Sequence, residues 1–345
     1  MKKMLLVIAT ILGLVGLSGP VPAADEVVLM THDSFNADKE VIKAFEKANS
    51  VQVKILKSGD AGAALNQAIL SKKNPLADVF FGVDNTFMTR ALQADIFEPY
   101  NSPLLAAVPD KFKLDDHNRL LPVDYGDVCL NFDKKWFKEK GLAPPQNLDD
   151  LLKPEYADLT VVENPATSSP GLAFLLTTVG RYGEKGYLEF WKKFKANGGL
   201  VVNGWEQAYW GHFSAASKGS RPIVVSYASS PPVEVVFSEK PITEPPSDVV
   251  VADGSAFRQI EFVGLLKGAK NPEQGKKLID FLLDKQFQEG IPLQMYVFPV
   301  NSQASLPEVF EKWARLAPNP VMVDPTLIAE KREAWIEAWT ETVLR

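Results

Sequence analysis

Val51-Gln52-Val53-Lys54-Ile55-Leu56-Lys57 runs through Ser58-Gly59-Asp60-Ala61-Gly62 into Ala63–Leu70, and a short loop later comes Ala77-Asp78-Val79-Phe80-Phe81-Gly82-Val83-Asp84-Asn85. Val51, Val53 and Ile55 alternate as a strand does. Ser58–Gly62 is a flexible turn, and Leu65, Ile69 and Leu70 mark the helix after it. Ala77–Val83 is apolar almost throughout, as expected of a strand covered on both faces, and Asp84-Asn85 suits the N-cap of a following helix. Upstream, Glu26–Met30 is a further strand. It ends in the polar loop Thr31-His32-Asp33-Ser34, before a helix with Val41, Ile42, Phe45 and Ala48 on one face. Such alternation predicts an α/β fold with mostly parallel sheets flanked by helices. Ligands of such sheets bind beyond the carboxyl ends of the strands, where His32, Asp60 and Asp84 fall. Taken singly, each fits a solvated loop residue or a helix cap equally well.

The pattern restarts after Leu120–Asp133, which reads as extended chain with a break at Gly126, suited to a hinge crossing between domains. Strands follow at Thr160–Val162, Gly199–Val202 and Pro222–Ser226, with helices starting at Ser169-Pro170 and after Gly204. Pro241, Pro245 and Pro246 mark a loop, and Phe257–Leu266 is extended chain returning to the first region. Helices are expected at Asn271–Leu283 and Thr326–Leu344, where Ile328, Trp335 and Trp339 share a core-facing stripe. A chain of this length exceeds the usual single-domain size. Two α/β lobes joined by crossings make a clamshell that closes on a ligand. The expected division is 24–123 with 258–302 in lobe 1, and 124–257 with 303–345 in lobe 2.

Lys2 and Lys3, the apolar run Met4–Leu17 and the small-residue site Val21-Pro22-Ala23 read as a secretory signal peptide, residues 1–23, cleaved after Ala23. No other segment is long and apolar enough to span a bilayer. The sole cysteine, Cys129, does not sit at the cleavage site, so a periplasmic protein is expected rather than a lipid-tethered one. Removing the leader takes away two lysines and no acidic residue, moving the formal charge from −6 to −8. That acidity argues against nucleic acid or an anionic membrane as partner. One cysteine forms no internal disulfide, and His32, His117 and His212 show no zinc-like spacing. No metal or cofactor is expected.

The chemistry concentrates in Val201-Val202-Asn203-Gly204-Trp205 and Ser226-Tyr227-Ala228-Ser229-Ser230-Pro231. Aromatic faces attract a flat organic cation, and free N–H groups at a helix start attract phosphate. Each half also has a bland reading, a core tryptophan and an ordinary Ser-Pro cap. Tyr209, Trp210 and Phe213 follow Trp205 at helical spacing and are expected to pack the second lobe rather than line its cleft.

Further segments carry a family resemblance. Asp33-Ser34-Phe35, Asp60, Ala77-Asp78-Val79 with Gly82 and Asp84-Asn85, Asp124-Tyr125-Gly126, Thr167-Ser168-Ser169-Pro170-Gly171-Leu172, Gly204-Trp205, Ser226–Pro231, Ile291-Pro292 and Arg332–Ile336 with Trp339 fall in one order along nearly the whole chain. In these the chain resembles the periplasmic solute-binding proteins of ABC importers, and among them the thiamine-binding branch. The resemblance implies a type II clamshell, a monomer, that holds thiamine or its phosphates and hands it to an inner-membrane permease. It implies ligand contacts at Asp60, Ala61, Ser168, Ser169, Trp205, Tyr227, Ala228, Ser229, Ser230 and Pro231. This chain departs from the family at His32 and Val233, where the family has Tyr, at Tyr296, where it has Trp, and at Ala61, where it has Gly. His32 and Tyr296 are therefore added to the expected site. In it, Trp205 and Tyr227 offer ring faces, Asp60 pairs with the cation, and Ser168-Ser169 bond phosphate or hydroxyl oxygens at a helix whose Pro170 is expected at its first position.

Rival readings are a binding protein for an amino-phosphonate or another small cation, a ferric-ion binder, and a thiaminase-like enzyme attacking through Cys129. Ferric binders of this superfamily generally use neighbouring tyrosines, and this chain has no Tyr-Tyr pair. A nucleophilic thiolate needs an accessible, electropositive setting, whereas buried free cysteine is common core filler.

Overall fold

The computed structural model describes residues 25–345, and the expected leader lies outside them. The first half follows the sequence closely. Strand β1 (Asp25–Thr31) leads to α1 (Lys39–Asn49), which Asp38 caps by accepting the Glu40 N–H at 2.8 Å. Next come β2 (Val51–Lys57), α2 (Ala61–Leu70), β3 (Val79–Asp84), α3 (Met88–Gln93) and the short β4 (Phe97–Glu98). Every residue of β3 is buried, as its unbroken apolar run requires. On α1 the apolar face is narrower than expected, because Ala48 is exposed and Phe45 alone is fully buried.

The centre of the molecule is one long strand, β5 (Leu121–Asp133). It runs unbroken through Gly126, which corrects the break expected there. Glycine is needed for a different reason: a Cβ would come within 3.0 Å of Tyr227 Cδ1. Beyond β5 lie α4 (Lys134–Lys140), β6 (Thr160–Glu163), α5 (Ser169–Ala196), β7 (Leu200–Val202), β8 (Ile223–Tyr227), α6 (Pro231–Val236) and β9 (Ser247–Val250). The chain then returns through β10 (Phe257–Leu266), α7 (Pro272–Leu283), α8 (Lys285–Gln294), β11 (Phe298–Pro299), α9 (Glu308–Trp313) and α10 (Pro325–Val343). Helix α5 starts at Ser169, so Pro170 stands at its second position, and Gly183 (φ 72°) kinks it.

All strands belong to one sheet with the main order β2-β1-β3-β10-β5-β8-β6-β7. The parallel pairing expected from the sequence occupies its two wings, β2-β1-β3 and β8-β6-β7. The centre is antiparallel, because β5 and β10 carry the chain out of one wing and back again. β5 pairs with β10 through its first half and with β8 through its second, so it belongs to both wings. Helix α10 covers the junction: Trp339 meets Trp191 of α5 edge-on at 5.5 Å, and Ile328 and Trp335 are buried with it, as their spacing predicts. Among the described residues no helix is long and apolar enough to cross a membrane.

Candidate ligand-binding cleft

A cavity of about 210 Å³ opens between the wings, beyond the carboxyl ends of β1, β2, β8 and the middle of β10. One wing contributes the loop His32–Asn36, Lys57 and Asp60; the other contributes Ser169, Pro170, Trp205, Glu206, Trp210 and Tyr227. The floor holds Glu261 of β10, and Gln294–Val297, between α8 and β11, close one side.

Trp205 forms the aromatic wall. It is buried, and Tyr209 stacks on it at 4.9 Å and 17°. Its indole N–H donates to Ser226 Oγ at 2.9 Å, and Ser226 bonds Ser230 at 2.9 Å. Tyr209 in turn donates its hydroxyl to Glu234 at 2.7 Å, and Glu234 accepts from Ser247. The ring is fixed at edge and back, and it lines the cavity. Tyr296 and Trp210 lie 5.8 Å and 6.2 Å from it at steep angles. Tyr296 is held in a left-handed backbone conformation (φ 66°), and its carbonyl accepts the Ser229 hydroxyl at 2.6 Å.

Asp60 joins the wings. It stands at the N-cap of α2, and its Oδ2 accepts the backbone N–H of Trp205 at 2.9 Å. Gly204 makes this approach possible, since a Cβ there would lie 2.8 Å from Asp60 Oδ2. Burial raises the Asp60 carboxyl, while the Trp205 and Ala61 N–H groups pull the other way. Ser168 Oγ lies near it, fully buried and without a hydrogen-bond partner. Nearby Glu163, at the end of β6, is also fully buried with both oxygens unpartnered, and burial pushes it well up.

On the floor, Glu261 lies directly across from Asp84 on β3 and Asp124 on β5, so three carboxyls stand in a row on one face of the sheet. His32 Nε2 lies 3.6 Å from Glu261, a spacing that would allow an ion pair. Burial works against it: desolvation, then the Lys57 charge, lowers His32 to about 4, and desolvation holds Glu261 well above the usual carboxylate range, so the charged form of each partner is disfavoured. Asp84 and Asp124 are each pushed up to about 7, chiefly by burial. His32 packs so tightly on Gly82 that a Cβ there would lie 2.5 Å from its ring.

Of the residues expected from the sequence, His32, Asp60, Ser169, Trp205, Tyr227 and Tyr296 come together around the cavity. Ala61, Ser168, Ala228, Ser229, Ser230 and Pro231 lie outside its lining. Ala61 gives its N–H to Asp60, Ser229 anchors Tyr296, and Ser230 steadies Trp205 through Ser226. Ala228 packs with Cys129 in a small apolar cluster. Asp84 caps the turn into α3, accepting from Thr86 and Phe87. Cys129 is fully buried, and burial followed by the Asp127 charge pushes its thiol well up. Trp210 corrects an expectation. It is 39% exposed and lines the cavity, because Gln207–His212 is a π-helix and the wider turn carries residue 210 to the cleft side. Glu261 is not among the residues expected from the sequence, although Gln259 and Glu261 are polar residues spaced by two in β10, which places them on one face.

A family model described as bacterial extracellular solute-binding protein matches residues 74–318. The thiamine-binding periplasmic protein of Salmonella typhimurium is 30% identical over 95% of this chain and 96% of its own length. That of Brucella abortus is 29% identical over the full length of both. Among solved structures, a periplasmic thiamin binding protein superposes with a TM-score of 0.80 at 28% identity, covering 93% of this chain and 96% of the other. The family match takes in well over half of the sequence, and the cleft sits where two α/β wings meet across antiparallel crossing strands: the chain belongs to the bacterial extracellular solute-binding proteins.

Proposed function

We propose that this protein carries thiamine, and its phosphate esters, in the cleft between the wings, and delivers it in the periplasm to the permease of an ABC importer. The observation that carries this reading is the composition of the cavity. A fixed tryptophan face, with Tyr227 and Tyr296 beside it, stands over buried carboxyl groups, and the one lysine in the lining, Lys57, is exposed at the rim. Such a site suits a flat ring bearing positive charge, with about 0.5–2 kcal/mol from each cation–π contact. The relatives named for thiamine binding support the same cargo. The hydroxyethyl or phosphate end is assigned to the start of α5, where Ser169 lines the cavity and backbone N–H groups favour oxygens.

The lobes divide, on this reading, at 24–123 with 258–302 and 124–257 with 303–345, and closure brings Asp60 onto the Trp205 backbone. The protein works as a monomeric carrier rather than an enzyme, since its one thiol is buried in an apolar cluster away from the cavity lining. The test is mass spectrometry of small molecules released from purified, denatured protein, with calorimetry using thiamine, 2-aminoethylphosphonate and ferric citrate. Recovery and tight binding of thiamine are expected. Binding of the phosphonate or iron in its place would overturn the reading.

A further inference from the structure

The floor of the cleft is built against its own charge. Asp84, Glu261 and Asp124 face one another across three neighbouring strands, and Glu261 reaches the cavity. Both oxygens of Asp124 are buried and meet no donor. Their neighbour is the Glu261 carboxyl, and two carboxyls bond to each other only if one keeps a proton. The surroundings supply no counter-charge to Glu261. His32, from the loop after β1, is neutral, with Nε2 aimed at Glu261 and unpartnered. Lys57 is exposed and donates to the Asp33 carbonyl at 2.7 Å. Arg332 of α10 lies over the Phe87 ring at 4.4 Å and acts on Asp84, at the far side of the row from Asp124. Asp60, from the same wing as His32, and the Tyr227 hydroxyl, from the other, complete the surroundings, one a carboxyl and one neutral.

We propose that Glu261 is the counter-ion for the positive ring of the ligand, and that the arriving cation expels to solvent a proton which the Asp84–Glu261–Asp124 row holds in the ligand-free protein. The inference rests on the reading of the cargo as thiamine, whose quaternary ring nitrogen carries no proton to lose and stays charged through the neutral range. A fixed positive charge at the carboxyl favours its ionised form, so binding and deprotonation are linked. Affinity therefore rises with pH through the neutral range and levels off once the ligand-free row has ionised. The raised carboxyls of the floor fit this direction.

The test is calorimetry of thiamine binding to the wild-type protein near pH 7, in buffers of different ionisation enthalpy, which counts protons without any substitution. A substantial fraction of one proton released per thiamine is expected. Glu261→Gln should abolish the release and weaken thiamine by on the order of ten- to a hundredfold, as loss of a charged partner does. Asp124→Asn removes a like charge and should move maximal release to lower pH. Thiamine binding with no buffer-dependent heat, or release that persists in Glu261→Gln, would overturn the inference and leave the cargo reading standing. No binding of thiamine at all would overturn both.

Discussion

The aromatic wall and the carboxyl floor of the cleft are built to opposite standards. On the wall, the polar atoms around Trp205 are spoken for: the indole by Ser226, Ser226 by Ser230, Tyr209 by Glu234, and Glu234 by Ser247. On the floor, His32 Nε2 and both Asp124 oxygens are buried without a partner, and Asp84 and Asp124 stand at about 7. A completed network fixes geometry, whereas an incomplete one stores unfavourable energy that a suitable ligand can release. The wall sets where a ring must lie, while the floor decides what charge it must bring.

The contrast breaks most visibly at Trp205. Trp205→Ala removes a buried ring and frees Ser226, so it should cost about 3–5 kcal/mol of stability in urea unfolding. Its loss to thiamine affinity should be about 1–3 kcal/mol by calorimetry. Unchanged stability would mean that the wall is not pre-built.

The floor should respond to pH. Asp84 and Asp124 hold protons more tightly when folded than when unfolded, so their penalty is absent below about pH 4, grows as pH rises and is complete above about 7. Stability of the ligand-free protein should therefore fall across that window, and Asp124→Asn should recover at least about 1 kcal/mol near pH 8. His32, held down at about 4, acts with the opposite sign and adds stability as pH rises from 4 to its ordinary value of 6.5. A curve that Asp124→Asn leaves unchanged would remove Asp124 from the stored penalty.

A smaller effect distinguishes scaffold from contact on the wall. Tyr209→Phe keeps the stack but deletes the bond to Glu234, and should cost about 1 kcal/mol of stability with thiamine affinity unchanged. Smallest of all is Cys129→Ser, whose thiamine affinity should match the wild type. Thiamine incubated with a nucleophilic co-substrate should be returned intact by both proteins. Free thiazole appearing with the wild type alone would convert the carrier into an enzyme.

The fold was legible because local patterns agreed with it: alternation in β2, the unbroken apolar run of β3, and the Ser-Pro start of α5 all formed where their residues indicated. Asp60 and Trp205 were legible for the same reason, each standing just beyond a strand end. Pairing direction at the centre was not, since β5 and β10 meet across more than a hundred residues of chain. Local spacing also missed the π-turn that carries Trp210 into the cleft. Within Ala228–Pro231, Ser230 bonds Trp205's partner and Ser229 bonds the Tyr296 carbonyl, contacts that a linear motif does not display. Glu261 went unread because a carboxyl within a buried strand looks like an error in the pattern until its neighbours across the sheet are known.

Tyr296 carries a consequence for anyone engineering this protein. Its left-handed backbone, φ 66°, costs a residue with a Cβ about 1–2 kcal/mol, and glycine escapes that cost. The substitution that relaxes the turn therefore also deletes a ring from the cleft, and a screen for thermostability alone would select it. Position 296 is where a more durable protein and a working one part company, so stabilising libraries should hold it fixed and search elsewhere.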